Sequence, residues 1–182
     1  MILKIILSGI TISAIAILGN IPVSASPYGV GLYNADVPYG GETQISLATN
    51  GSINIPITPT DNGTLGSGSG TVTVTSTDVV GYRLYIRALS STNLTKVGGS
   101  AVLGASSNVT SLPLATNTWG YNLDASTNFI GPTATDQLLR TRTGPFKSGD
   151  VTTVTYGVKV DNTKPAGSYQ TTVMYTAIPQ TN

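Results

Sequence analysis

The chain has 182 residues, with 9 basic and 8 acidic side chains, no histidine and no cysteine. No basic stripe is available to follow a phosphate backbone, so nucleic acid is not an expected partner. Without His or Cys, a Ser-His-Asp triad, a thiol nucleophile and the usual zinc sites are out of reach.

The length suits one domain. Charged residues make up only 9% of the chain, while Thr, Val and Ile are plentiful, which argues for β structure with uncharged polar faces rather than disorder. A domain of about 150 residues buries enough core to fold without disulfides. The lack of cysteine also removes the thiol that a lipoprotein anchor needs.

At the N-terminus, Lys4 precedes an apolar run over residues 5–18, and Val23-Ser24-Ala25 sets small residues at cleavage subsites after Pro22. This is the pattern of a signal peptide over residues 1–25. The alternative is an uncleaved membrane anchor, since residues 5–23 approach spanning length. Polar residues interrupt the run and favour cleavage. Removal of Lys4 leaves the mature chain formally neutral.

Residues 26–41 form an extension. Tyr28, Val30 and Leu32 alternate with Gly29, Gly31 and Tyr33, so one edge is large and apolar and the other almost bare. Two readings apply: an ordinary first strand of the domain, or a donor strand that completes a neighbouring copy by β-augmentation. The Pro- and Gly-containing residues 36–41 would be its hinge.

Residues 42–182 carry the predicted domain. Ile45 and Leu47 alternate, then Ile53, Ile55 and Ile57, with Asn50-Gly51 between them as a two-residue hairpin turn. Residues 60–64 are a further turn, and Gly66-Ser-Gly-Ser-Gly70 is expected to be a short flexible link. Val72 and Val74 point inward from a strand over residues 71–76. Tyr82, Leu84, Ile86 and Ala88 form one face of another, with Arg83, Tyr85 and Arg87 opposite. Residues 90–115 suggest loops with one or two short strands. Trp119, Tyr121 and Leu123 share a face, with Trp119 a core anchor. After a loop at 125–136, residues 137–143 suggest a strand with Leu139 inward and Arg140 and Arg142 exposed. The last two runs form a predicted hairpin. Val154, Tyr156, Val158 and Val160 line one face of its first arm, and Tyr169, Thr171, Val173, Tyr175 and Ala177 one face of its second. Pro165 and Gly167 supply the turn. Apart from the leader no helix is expected, and the spacing of strands and turns is that of an all-β sandwich.

Little catalytic chemistry remains. Glycoside hydrolysis needs two carboxylates across a cleft, but Asp61, Asp78, Asp124 and Asp161 sit in turn contexts that explain them by capping. Asp61-Asn-Gly offers hard oxygen ligands for calcium, yet matches no full calcium loop, and the plain turn is preferred. A Lys–Asn isopeptide crosslink lacks an obviously inward lysine. No enzyme activity, metal or cofactor is therefore expected. Sequons at Asn50, Asn62, Asn93 and Asn108 matter only if the host glycosylates exported proteins.

Gly70-Thr-Val-Thr-Val-Thr-Ser76 through Gly81-Tyr-Arg-Leu84, Asn117-Thr-Trp-Gly-Tyr121, and Val154-Thr-Tyr-Gly-Val-Lys-Val160 through Pro165-Ala-Gly-Ser-Tyr169 are fold motifs. Together they resemble a group of exported bacterial surface proteins, over about residues 53–177. More distantly, the layout is similar to camelysin-like and pilus fibre subunits. The resemblance implies a single immunoglobulin-like β-sandwich after a signal peptide. Its implied role is a secreted or cell-surface structural protein, a filament or envelope block assembling through its N-terminal strand. The implied partners are copies of itself or other surface proteins. Residues 179–182 carry no sortase signal, so covalent wall attachment is not expected. The alternative function is a small adhesin or carbohydrate-binding module, whose glycan-binding aromatics would be Tyr33, Tyr39 and Tyr85. Export makes a direct prediction: N-terminal sequencing of secreted protein should begin at Ser26, and a secreted chain retaining Met1 would overturn cleavage.

Overall fold

A computed structural model of the chain describes residues 12–16 and 43–180. The strands are β1 (Ile12–Ala16), β2 (Gln44–Thr49), β3 (Thr64–Thr77), β4 (Gly81–Ala88), β5 (Leu94–Lys96), β6 (Val102–Ala105), β7 (Leu112–Pro113), β8 (Thr118–Asn122), β9 (Asn128–Phe129), β10 (Gln137–Thr143), β11 (Phe146–Val160) and β12 (Tyr169–Gln180). No helix occurs among the described residues. The expected all-β character and sandwich layering are therefore present.

One layer runs β10-β4-β12, with β1 added parallel along β12; the other runs β6-β8-β11-β3-β2. Short β5 pairs with the first residues of β12 and with β6, so it joins the layers along one seam. At the other seam β12 approaches β2 directly, and β1 runs beside β12. Ile12–Ala16 falls inside the apolar run read from sequence as a leader. Here its backbone extends a sheet.

The two long C-terminal strands are not a hairpin. β11 pairs with β3 and β8, whereas β12 pairs with β4 and β5. The turn at 161–168 therefore carries the chain from one layer to the other. Both arms keep their alternation: Val154, Tyr156, Val158 and Val160 are buried from one side, and Tyr169, Val173 and Tyr175 from the other. They meet at the Tyr156 and Tyr175 hydroxyls, which hydrogen-bond to each other in the core. Burial holds both phenols well above their ordinary pKa, so both stay protonated and each hydroxyl satisfies the other. Trp119 stacks at a tilt on Tyr156, with ring centroids 6.4 Å apart, and its indole Nε1 donates to Thr92 O at 2.8 Å. It is the anchor the sequence suggests, fully buried and satisfied.

Two expectations about β3 and its approach fail for one steric reason. Asn50-Gly51 does not close a hairpin, because β2 pairs with β3 and residues 53–57 join no strand, Ile57 alone making an isolated bridge. Nor is Gly66-Ser-Gly-Ser-Gly70 a flexible link. It is the first half of the 14-residue β3, with Gly66, Gly68 and Gly70 opposite Val158, Tyr156 and Val154 of β11. A Cβ on Gly66 would lie 2.5 Å from Ile57 Cγ1, and one on Gly70 2.6 Å from Ile53 Cδ1. The glycines leave the volume that Ile53, Ile55 and Ile57 occupy. Pairing with β11 and a packed isoleucine row outweigh the roughly 0.5–1 kcal/mol that a strand glycine costs.

A second pair of glycines works on the outer face. Gly120 of β8 and Gly157 of β11 are cross-strand partners. Phe129 covers them from outside, and a Cβ on Gly157 would meet its Cζ at 2.3 Å. The Trp-Gly-Tyr and Tyr-Gly-Val motifs thus put aromatics inward and a flat seat outward. The loop after β8 is held by Asn122, whose Nδ2 donates to Ser126 O at 3.0 Å and Asn128 O at 2.7 Å. That turn ends the alternation, so Leu123 is exposed instead of sharing the Trp119 face.

The inter-layer tyrosine pair makes a measurable prediction. Tyr175→Phe should cost about 1–3 kcal/mol in urea unfolding, because Tyr156 keeps a buried, unpaired hydroxyl. Changing both tyrosines to Phe should cost less than the sum of the single changes. Strict additivity would show that the hydroxyls do not interact.

Candidate functional site

Among the described residues no three of His, Cys, Asp and Glu gather where an ion would sit. The best-formed recess, lined by Thr49, Ile53, Gly70, Tyr156 and Tyr175 among others, has room for about one water molecule and none for an organic ligand. Asp61, weighed as a calcium ligand, accepts from Asn162 Nδ2 at 2.5 Å. Asp124 accepts from Ser126 N at 3.1 Å and Asp161 from Thr163 N at 2.9 Å, as turn-capping carboxylates do.

Among the described residues the densest electrostatic cluster is structural, and sequence reasoning missed it. Tyr82 Oη donates to Asp150 Oδ2 at 2.5 Å, while Arg142 Nε and Nη2 donate to Asp150 Oδ2 and Oδ1 at 2.6 and 2.9 Å. Phe146 packs edge-on to Tyr82 and lies under the Arg142 guanidinium, 5.6 Å from its centroid. Arg140 Nη1 donates to Thr152 Oγ1 at 3.1 Å. Both arginines, expected to be exposed, are half-buried and bridge β10 to β11. Tyr82 adds β4, so the carboxylate ties the two layers together at one end. A bidentate Arg and a phenol oriented on a buried carboxylate are charge-assisted bonds of the stronger kind. They hold the Asp150 carboxyl below its usual range, with the Arg142 bond the largest cause. Burial, then the bond to Asp150, push the Tyr82 phenol up to about 12.

Of the proposed ligand aromatics, Tyr85 alone lies among the described residues. Tyr33 and Tyr39 lie outside the described residues, as do Tyr28, Val30 and Leu32 of the proposed assembly strand. Tyr85 is half-buried on the outer face of the first layer, between its cross-strand partners Leu138 and Thr176. Leu138 and Ile178 are exposed on that face, and Arg87 is held by Asp136 at 3.4 Å. Of the sequons, Asn108 has its side-chain nitrogen committed to Leu112 O, Pro113 O and Phe129 O at 3.0–3.2 Å. A glycan there would replace one of the two hydrogens and leave a single N–H for the three carbonyls.

The unusual feature is an edge. β4 and β5 together flank one side of β12. Its other side is paired, among the described residues, only by β1. No protein-family model matches the chain, and no curated protein matches it. The class that the geometry defines is an all-β sandwich with one long strand whose second edge is held by the N-terminal part of the chain.

The Asp150 cluster sets the acid limb of stability. A carboxyl whose folded pKa is depressed contributes stability above its unfolded value of about 3.9 and loses it as pH falls through the folded value. Asp150→Asn should cost about 1.5–3 kcal/mol near neutrality. It should also flatten the loss of stability below about pH 4 in urea titrations. An unchanged acid limb would mean that Asp150 is not ion-paired in the fold.

Proposed function

We propose that the protein is an exported, non-enzymatic surface building block with an immunoglobulin-like sandwich, which assembles with copies of itself through its N-terminal strand. The observation that carries this reading is the second edge of β12, which takes a strand from the N-terminal part of the chain. A strand edge in this position invites augmentation. The apolar row Tyr28, Val30 and Leu32 follows the expected cleavage point at once, with Gly29 and Gly31 bare on its opposite side. An insertion into the next copy is head-to-tail and does not close, so it generates a fibre. The leader pattern and the formally neutral mature chain support a secreted or cell-surface location.

Electron microscopy of the chain starting at Ser26 should show filaments. Deletion of residues 26–34 should abolish them while circular dichroism and thermal unfolding stay close to those of the parent. A mature protein that stays monomeric at high concentration, and unfolds once truncated, would overturn donation. Specific retention of that monomer on a glycan array, lost in Tyr85→Ala, would favour the adhesin reading instead.

A further inference from the structure

Hydrogen-bond parity defines the second edge of β12. Leu89 N donates to Thr172 O, and the β12–β4 ladder alternates in register from that pair. The backbone groups of Thr172, Met174, Thr176 and Ile178 therefore face β4. Those of Thr171, Val173, Tyr175 and Ala177 face the opposite edge. Pro179 continues the second series, opposite Tyr82. It has no N–H, so its missing donor falls on the side away from β4. The ladder to β4 stays intact while the other edge ends there. A defined stretch, residues 171–177, is left for a further strand.

β1 now covers residues 171–175 of this stretch, pairing Ile12 with Thr171 and continuing in parallel to Ala16 with Tyr175. Every residue of β1 precedes the expected cleavage after Ala25. Removing the leader would strip the edge while leaving its core side chains, Val173 and Tyr175, buried from below. An edge admits one strand. Its occupant in this structure is the stretch 12–16.

We infer that residues 171–177 of β12 are the acceptor for residues 26–34 of a second copy, and that Ile12–Ala16 caps this edge until the leader is removed. The inference rests on the assembly reading above and adds where the donated strand binds and what prevents pairing before export. Like the cap, the donated strand would bond to Thr171, Val173 and Tyr175; it would continue past the cap to Ala177 and leave the even positions to β4.

Amide hydrogen exchange tests it residue by residue. In the full chain the amides of Val173 and Tyr175 should be protected, and in the chain starting at Ser26 at high concentration that of Ala177 as well. In dilute mature chain these should lose protection while Met174 and Thr176 keep theirs. A synthetic peptide of residues 26–34 should restore it. Two outcomes would overturn the acceptor while leaving the filament reading standing: assembly with no change at these odd positions, or assembly of the full chain as readily as the mature one. Odd amides protected at every dilution would mean that the chain's own strand folds back, which overturns both. No assembly and no peptide protection would likewise overturn both. No assembly, but peptide protection confined to the odd amides, would support the acceptor and sink the filament.

Discussion

Two consecutive strands of this protein face each other instead of pairing, and the rest of the fold follows from that. β11 and β12 send their apolar faces into one core from opposite layers, where the Tyr156 and Tyr175 hydroxyls bond to each other. Each layer must then find other neighbours for its long strand. β11 takes β3 and β8, and β12 takes β4 and, at its start, β5. A buried hydroxyl pair is costly to half-satisfy, so it fixes the registry of the layers as well as their separation. At one end Asp150 repeats the tie with charge, drawing on Tyr82 and Arg142 from the opposite layer.

Volume is distributed with equal economy. The core is built as much from missing side chains as from large ones. Gly66, Gly68 and Gly70 make room for three isoleucines on the inner face, and Gly120 and Gly157 make a seat for Phe129 on the outer face. Close packing leaves little room for a ligand, and the described interior holds none of useful size. The surface chemistry of the described domain is likewise mild, with Asp61, Asp124 and Asp161 engaged in turns, Asp136 on Arg87 and Asp150 in the inter-layer tie.

What distinguishes the molecule is then a matter of main-chain geometry. β12 presents one edge to β4 and one to an N-terminal strand. Pro179 limits the second edge without disturbing the first. An interaction of this kind draws its strength from backbone hydrogen bonds and its register from a few side chains. It leaves no signature of catalytic residues, which fits a chain poor in such residues.

Much of the secondary structure was legible in the sequence, because strand alternation is local. The inward faces of β4, β11 and β12, the burial of Trp119 and the turn positions of Asp124 and Asp161 all follow from period two and from the side-chain chemistry of turns. The glycine run at 66–70 was not legible. Glycine's flexibility is an intrinsic property, whereas its value here depends on isoleucines and a partner strand that only the fold brings near. For the same reason the Asn50-Gly51 signal did not close a hairpin, and the last two strands did not pair. Alternation says which way a side chain points but not which strand lies beside it. Arg142 carried no local sign of its bond to Asp150, since the partners meet only when β10 and β11 pack across the layers. The sequence by itself determined that this is an all-β chain with an apolar leader-like start and little catalytic chemistry. The tertiary structure alone decided which strands are neighbours, and therefore which edge is left for another strand, because pairing is settled by long-range packing and not by local preference.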